Sequence, residues 1–363
     1  MEIPNNHMTP PKADLSQIPR DLHCWLIFPC NYYDNSTENE NENGEEVPKG
    51  FLGFVNLSDP DREVHKLRLT EATGRLVCGS SAGWLVTLRS GGDIHLLQPF
   101  TRAHIQLPQL TFDAFPDVPS TFEGSMRRVY IDKVIVGFSY SSNAAPASSS
   151  SSFETDGVVM ALCFKPKKLA FYRVGKDQNW ASFEGFSGKY KDIAFYKNRF
   201  YAIRNRSHIF VASGLDGPSA TMEDLMEILN YGGLSKYYLV ESSGDLLLVV
   251  RHLGSQRRQT LYFSVFKLDV DGGNMERLES IGNHCLFLDC NTAISLSASD
   301  VPGCKGNHIY FIGTCFAGYS MQSFGRYDMG VFDIEDGNFE PFNYCNDRNL
   351  VMHPPIWYPT CYP

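Results

Sequence analysis

The side chain best placed for nucleophilic chemistry is Ser81, which lies in the sequence GSSAG at residues 79–83. This pattern superficially matches the G-x-S-x-G elbow, in which a serine sits on a strained turn between a strand and a helix. The residues from Trp84 to Val86 continue as a strand instead of beginning a helix. We therefore interpret residues 79–83 as a turn, and the sequence assigns no catalytic residue.

The chain has ten cysteines, and thiolates are common zinc ligands. Four of them follow one another closely in the sequence, namely Cys285, Cys290, Cys304 and Cys315. No C-x-x-C pair occurs, and these spacings differ from those of structural zinc sites. We interpret the cysteines as reduced, buried thiols that pack in the core, and we expect neither a metal ion nor a cofactor.

Acidic residues cluster where turns are predicted. They are Asp269, Asp271, Asp333, Glu335 and Asp336. Aspartate is common in turns because its side chain accepts hydrogen bonds from the backbone two residues on. The sequence DVDGGN at 269–274 could offer oxygen atoms to calcium, but it lacks the closing glutamate of an EF-hand loop. We expect turns at these positions.

Two glycine doublets and ten histidines complete the candidates. Gly232–Gly233 and Gly272–Gly273 lack the Lys-Ser/Thr ending of a phosphate-binding loop, and they do not recur at one place in each repeat, as a kelch doublet would. No H-E-x-x-H motif occurs among the histidines. The sequence therefore identifies neither a general base nor a phosphate loop.

Composition narrows the functional class. Of the 363 residues, 43% are hydrophobic and 13% aromatic, which is enough to build an extensive core. The formal net charge is −9 and no basic stripe interrupts it, which disfavours nucleic acid as a partner.

Apolar runs such as 158–164 and 246–250 are too short to cross a bilayer. Residues 1–23 resemble neither a secretory signal nor a transit peptide, so we expect a cytoplasmic or nuclear protein without a membrane partner.

Short apolar runs separated by turn signals recur along the chain and predict an all-β fold. The repeat favours a single β-propeller of six blades, or of seven if the third is divided. The predicted blades begin near Trp25, Leu76, Val129, Asp192, Tyr237 and Cys285. The acidic segment 34–46 and the serine run 148–152 interrupt the pattern and are predicted to be flexible excursions.

One segment departs from the β pattern. Residues 221–229 begin with a capping threonine, carry early acidic residues and place apolar residues at helical spacing, so they predict one short surface helix. Leu225, Ile228 and Leu229 of this helix would pack on the propeller or, alternatively, dock a partner.

Several segments together resemble the plant KIB-type β-propeller family, long described as a domain of unknown function. They are residues 78–86, 97–102 with 105–108, 238–249, 295–304, 328–332 and 354–357. They occur in the family's order, and the resemblance extends over roughly residues 20–358. Many members of this family carry the propeller after an N-terminal F-box and recruit substrates to a ubiquitin ligase.

The resemblance implies a non-enzymatic propeller that binds a protein partner, which could be a ubiquitination substrate. The alternative is a propeller enzyme with a hydrolytic site in the central channel. Residues 24–363 are expected to form the propeller, and residues 1–23 an extension without a complete F-box, so direct contact with the ligase scaffold is not expected. The sequence identifies no partner-binding residue.

Overall fold

β-Strands make up nearly all the regular structure of the chain in the computed structural model. The structure describes residues 24–29, 51–59, 64–89, 92–110, 131–138, 157–163, 168–183, 189–205, 207–217, 219–231, 234–255, 259–313, 328–342 and 355–359. Four features considered in the sequence lie outside these ranges: the extension 1–23, the acidic segment 34–46, the serine run 148–152 and the doublet Gly232–Gly233.

The described strands form six sheets, which are the blades of a propeller, so the described ranges contain six blades and not seven. Blade 1 contains β1 (Cys24–Pro29), β2 (Phe51–Asn56), β3 (Val64–Arg68) and the C-terminal strand β25 (Ile356–Pro359). Blade 2 contains β4 (Leu76–Ser81), β5 (Trp84–Arg89), β6 (Asp93–Leu97) and β7 (His104–Gln106). Blade 3 contains β8 (Ile131–Phe138), β9 (Gly157–Cys163), β10 (Lys168–Arg173) and β11 (Ala181–Ser182).

The second half of the ring follows the same plan until blade 6. Blade 4 contains β12 (Tyr190–Tyr196), β13 (Arg199–Arg204), β14 (His208–Ser213) and β15 (Thr221–Glu227). Blade 5 contains β16 (Ser235–Ser242), β17 (Asp245–Leu253), β18 (Thr260–Asp269) and β19 (Asn274–Leu278). Blade 6 contains β20 (His284–Leu288), β21 (Ala293–Ser297), β22 (His308–Gly313), β23 (Asp328–Asp333) and β24 (Phe339–Glu340). Short 3-10 turns occupy Thr70–Ala72 and Ala298–Asp300.

The two ends of the described chain meet in blade 1. Strand β25 pairs antiparallel with β1, with Ile356 opposite Ile27 and Pro359 opposite Cys24. It forms the innermost strand of that blade, next to β4 of blade 2. Closure therefore needs a strand from the far end of the sequence, which removes the open edge that β1 would otherwise present.

Each blade buries both of its faces against its neighbours. In β13, Tyr201 and Ile203 pack in the cluster shared with blade 5, whereas Phe200 and Ala202 pack in the cluster shared with blade 3. Successive strand residues point to opposite faces, so a strand buried on both sides is apolar at nearly every position. This explains why the sequence shows continuous apolar runs and little strict alternation.

The helix predicted for residues 221–229 is wrong, because most of this segment is strand β15. Its helical spacing arises from a β-bulge, in which Asp224 pairs with Phe210 and Met226 with Ile209, so Leu225 is the extra residue. The bulge reverses the faces: Met222 packs toward blade 3 and Met226 toward blade 5. No helix in the described part of the chain is long and apolar enough to cross a membrane.

Blade 6 differs from the others because a hairpin is inserted at its centre. Strand β20 pairs antiparallel with β21 and also pairs parallel with β22, with Cys285 opposite His308. As a result β21 is innermost, and the connection from Asp289 to Thr292 is directed toward the axis of the ring. This connection makes the contacts described below.

We predict that Gly137→Ala destabilises the junction between blades 3 and 4. A Cβ atom on Gly137 would lie 2.6 Å from ring atoms of Phe195 and Phe200, so the packed rings would have to move. Overpacking of this kind costs about 1–3 kcal/mol of unfolding free energy, measurable by urea denaturation. Gly217→Ala is the matched control, because its Cβ would meet only one atom, at 3.6 Å. Equal stability of the two variants would contradict the observed packing.

Candidate functional site

The innermost strands β8, β12 and β16 carry charged residues close to their N-terminal ends, and these residues lie together at one end of the central channel. They are Lys133, Asp192 and Lys236. We call the face of the propeller at which these strands begin the channel face. Charged side chains in an apolar setting are the usual starting point for a search for catalytic groups.

Lys133 and Asp192 form a buried ion pair. The Lys133 Nζ lies 2.9 Å from each carboxylate oxygen of Asp192, and the two side chains are 3% and 7% exposed. Asp192 Oδ2 also accepts the backbone N–H of Leu239 at 2.6 Å. Burial lowers the pKa of Lys133, and the Asp192 carboxylate opposes that effect. This carboxylate therefore joins blade 3, blade 4 and blade 5.

Asp289 has a similar structural role where the ring closes. Its Oδ1 accepts the backbone N–H groups of Asn291 at 2.7 Å and Thr292 at 2.6 Å, and its Oδ2 accepts that of Trp357 at 3.0 Å. Burial raises the pKa of Asp289, whereas the three N–H donors lower it. The carboxylate thus shapes the turn between β20 and β21 and also holds β25 in blade 1.

Lys236 extends this connection to blade 5. Its Nζ donates to the backbone carbonyl oxygens of Asp289 and Cys290, at 3.2 Å each. Blades 5, 6 and 1 are therefore linked through one short turn.

Within the GSSAG segment only Ala82 and Gly83 form the predicted turn, because Gly79, Ser80 and Ser81 belong to strand β4. Strand β4 ends at Ser81, Ala82 and Gly83 follow with φ values of 50° and 76°, and β5 begins directly afterwards. The Ser81 Oγ accepts the backbone N–H of Val136 in blade 3, at 2.9 Å. The Ser80 Oγ donates to the carbonyl oxygen of Trp357 at 2.6 Å. Both hydroxyls are thus engaged in contacts between blades.

Glycine is required at position 79 because the backbone of a turn comes very close to it. A Cβ atom there would lie 2.8 Å from the Cβ of Asn291, on the turn that follows β20. The Asn291 side-chain amide donates to the carbonyl oxygen of Cys78. Only glycine allows the two backbones to come so near to each other.

The six described cysteines form no disulfide among the described residues, and the described acidic segment that begins at Asp269 forms a turn. No group of three or more potential ligands in the described ranges could hold a metal ion. Cys315 lies outside those ranges. A hydrogen bond with Cys304, together with burial, raises the pKa of Cys285. Asp269 accepts the N–H groups of Asp271 and Gly272, which confirms that turn.

The acidic segment near the end of β23 is also a turn, as predicted. The Asp333 Oδ1 accepts the N–H groups of Glu335 at 2.9 Å and Asp336 at 3.3 Å. The acidic residues singled out in the sequence therefore shape hairpins and are not brought together into one site.

An exposed apolar surface lies on blade 5. Four large hydrophobic side chains are exposed on blade 5 or in the connection that leads to it from blade 4: Leu229 (60%), Leu234 (38%), Leu261 (49%) and Tyr262 (48%). We define the blade-5 patch as these four residues together with Tyr231 and His252. Its position is the channel face, because His252 pairs with Ser235 at the start of β16, next to Lys236.

Ring stacking and a backbone hydrogen bond hold the patch together. The rings of His252 and Tyr262 stack with centroids 4.0 Å apart, and Tyr231 meets His252 edge-on at 5.5 Å. The Leu253 N–H donates to the Leu234 carbonyl oxygen at 2.9 Å. Burial, assisted by Arg277, lowers the pKa of His252, so its imidazole is neutral at neutral pH. The patch is therefore an aromatic and aliphatic surface without charge of its own.

Neither the channel network nor the blade-5 patch was identified from the sequence. A signal for the network exists in the lysine of YIDKVIV at 130–136 and the aspartate of KDIAFY at 191–196, each a charge inside an apolar strand. For the patch, Leu229 was a candidate docking residue, but the helix assigned to it was wrong. The other patch residues come from β17, β18 and the segment before β16, which only the fold brings together.

A model of the KIB1-4 β-propeller family matches residues 54–333 of the chain. The F-box protein KIB2 of Arabidopsis thaliana is 27% identical over 267 residues, which cover 67% of this chain and 54% of KIB2. The putative F-box protein At2g33200 of the same plant is 25% identical over 306 residues, 77% of this chain and 78% of that protein. The chain spans about half the length of KIB2 (54%) and of the putative F-box protein At3g25750 (44%).

Among solved structures, the β-propeller domain of Myceliophteria thermophila Cps50 (Swd1) has a TM-score of 0.40, with 10% identity, 80% of this chain covered and 82% of that one. The N-terminal domain of Nup159 has a TM-score of 0.32, with 12% identity over 80% and 70% of the two chains. Similarity at this level has no bearing on function.

We predict that removing either charge of the Lys133–Asp192 pair lowers the free energy of unfolding strongly, and that removing both charges lowers it less. Asp192→Asn or Lys133→Met leaves one buried charge without its partner, which costs about 3–5 kcal/mol. The double variant Lys133→Met/Asp192→Asn removes both charges and keeps an acceptor for Leu239, so it should recover much of that loss. Urea denaturation of the wild type, the two single variants and the double variant measures the coupling.

The exposed pair of Lys267 and Asp245, 2.7 Å apart, supplies the matched control. Asp245→Asn is expected to leave the unfolding midpoint close to that of the wild type, because solvent screens this pair. If Asp192→Asn were as mild as Asp245→Asn, the pair would not join the blades as described.

Proposed function

The chain belongs to the KIB1-4 β-propeller family, and on this premise we propose that it recognises substrates for a ubiquitin ligase of the F-box type without catalysing a reaction itself. A propeller found in F-box proteins is consistent with a role in protein interaction. The adaptor role is inferred from relatives that are F-box proteins, and the chain spans about half the length of two of them.

The observation that carries the proposal is the blade-5 patch on the channel face. Exposed apolar side chains held together by ring stacking are typical of protein interfaces, in which a few aromatic and aliphatic residues supply most of the binding energy. Here Tyr262 is 48% exposed and stacks on His252, so its ring is held in place before a partner arrives. Little side-chain entropy would be lost on binding.

The polar groups of the channel support a structural role over the hydrolytic alternative. Asp289 is the channel carboxylate with a raised pKa, which is one mark of a general acid. Both of its oxygens, however, already accept backbone N–H groups from the turn and from β25. Lys133 and Asp192 are likewise joined to each other. A substrate would have to break the contacts between blades in order to use these groups.

We further propose that the protein acts in the cytoplasm or nucleus and binds a protein partner with a complementary apolar anchor. The free thiols Cys24, Cys78, Cys163 and Cys285 support a reducing compartment. The chain carries a formal net charge of −9, so basic residues around the partner's apolar anchor would increase the association rate without determining specificity.

The test is affinity capture from plant extract treated with a proteasome inhibitor, using the wild type, Tyr262→Ala and Phe339→Ala. Truncation of a central aromatic anchor should reduce recovery of a specific partner by roughly tenfold or more. Phe339 is the matched control, since it is an aromatic residue with similar exposure (43%) on blade 6. Quantitative mass spectrometry measures recovery, and urea denaturation confirms that both variants fold.

A ubiquitination substrate among the recovered proteins should also increase in abundance when the chain is depleted from cells. If Tyr262→Ala recovered every specific partner as well as the wild type does, the blade-5 patch would not be the binding surface. Recovery of no specific partner at all would contradict the protein-binding function itself.

A further inference from the structure

A polar cleft of about 420 Å³ opens on blade 2, away from the residues of the blade-5 patch. Its lining residues come from strands β5, β6 and β7 and from the segment between β3 and β4. They are Thr70, Glu71, Arg75, Arg89, Asp93, His95, His104 and Gln106.

Strand pairing places the polar residues of this cleft on one face of blade 2. Arg89 lies opposite Asp93, His95 lies opposite Gln106, and His104 lies opposite Leu97. Directly paired residues share a face of the sheet, and so do residues two apart in a strand. Adjacent positions such as Ile94 and Leu96 point the other way, into the apolar cluster shared with blade 3.

The two carboxylates of the cleft are already matched with arginines. Arg75 donates to Asp93 Oδ2 at 2.8 Å and to its carbonyl oxygen at 2.7 Å, and Arg102 lies 3.5 Å from Glu71. These pairs offset the negative charge of the lining. Arg89 is different, because its guanidinium is exposed and makes one long hydrogen bond of 3.4 Å, to the Thr73 carbonyl oxygen.

The remaining lining groups can all donate hydrogen bonds to an anion. The imidazoles of His95 and His104 are stacked with centroids 6.3 Å apart, and the Gln106 amide lies in the same lining. Thr70 is excepted from these donors, because its hydroxyl already donates to Glu71 Oε2 at 3.2 Å. His95 Nε2 is 3.2 Å from Asp93 Oδ1, so its ring orientation is set by the carboxylate that Arg75 holds. An arginine with two imidazoles and neutral donors is a typical combination for phosphate recognition.

We propose that this cleft binds a phosphate monoester, with Arg89, His95 and His104 as the principal ligands. The phosphate would come from a phosphorylated side chain of a protein or from a free phosphate compound, and both present the same tetrahedral oxyanion. The three principal ligands lie on strands β5, β6 and β7 of blade 2, so the site stands independently of the blade-5 patch.

The charges around His95 determine how binding depends on pH. Burial and Arg75 lower the pKa of His95, with a smaller effect in that direction from His104, whereas Asp93 raises it. Arg89, Glu71 and Arg102 are the other charged groups at the cleft. At neutral pH the imidazole is therefore mostly neutral, and protonation adds positive charge. Sulfate, whose charge is constant in this range, is expected to bind more tightly at pH about 6 than at pH about 8.

The experiment is isothermal titration calorimetry of the full chain with inorganic phosphate, a phosphoserine peptide, its unphosphorylated form, and acetate. We expect both phosphate probes to bind, and acetate and the unphosphorylated peptide to bind at least roughly tenfold more weakly. Arg89→Gln and His104→Gln should each weaken phosphate binding by roughly three- to tenfold. Arg199→Gln is the matched control, because Arg199 is also exposed and makes one hydrogen bond of 3.4 Å, to Ser213.

The outcomes separate the two sources of phosphate. Tighter binding of the peptide indicates a phosphorylated protein, and equal or tighter binding of inorganic phosphate indicates a free compound. Acetate binding as tightly as phosphate would overturn the proposal, as would no phosphate binding or equal affinities for Arg89→Gln, Arg199→Gln and the wild type. Tyr262→Ala should retain phosphate binding, so the proposed function can fail without this site failing.

Discussion

The pairing of β25 with β1 closes the ring, and the rest of the structure depends on that closure. Each blade is apolar on both faces, so a blade that lacked one of its two neighbours would expose a whole apolar face to water. Closure is directed by polar contacts as well as by packing. Asp289 accepts the Trp357 N–H, and Ser80 donates to the Trp357 carbonyl oxygen, so β25 is bound from blade 6 and from blade 2. Both contacts are buried, where an alternative register would leave these groups without partners.

The same constraint accounts for the polar residues of the channel. The innermost strands converge on the axis, where neighbouring blades are closest, and a lysine from one strand reaches an aspartate on the next. Lys133, Asp192, Lys236 and Asp289 join neighbouring blades, and several backbone N–H and carbonyl groups find partners in them. Such residues resemble a catalytic cluster in composition. Their hydrogen bonds make them connections between blades.

Two surfaces of the described residues lie outside this network. The blade-5 patch is apolar and aromatic, whereas the cleft on blade 2 is polar and lined by arginine and histidine. The two differ in chemistry and use different blades. A propeller suits this division because each blade contributes its own strand ends and connections to the surface while the core stays the same.

The all-β class, a propeller of six or seven blades, a turn at Ala82–Gly83 and the family could be predicted from the sequence, because strand runs, turn residues and local motifs depend on neighbouring positions. The sequence misassigned residues 221–229, since a bulge at Leu225 changes which face the following apolar residues occupy and so imitates a helical period. It could not show that β25 completes blade 1, that Lys133 meets Asp192, or that Tyr231, His252 and Tyr262 stack. Those contacts join residues that are distant in the chain, or on different strands, and their partners are chosen by the geometry of the closed ring. Only the tertiary structure contains that information.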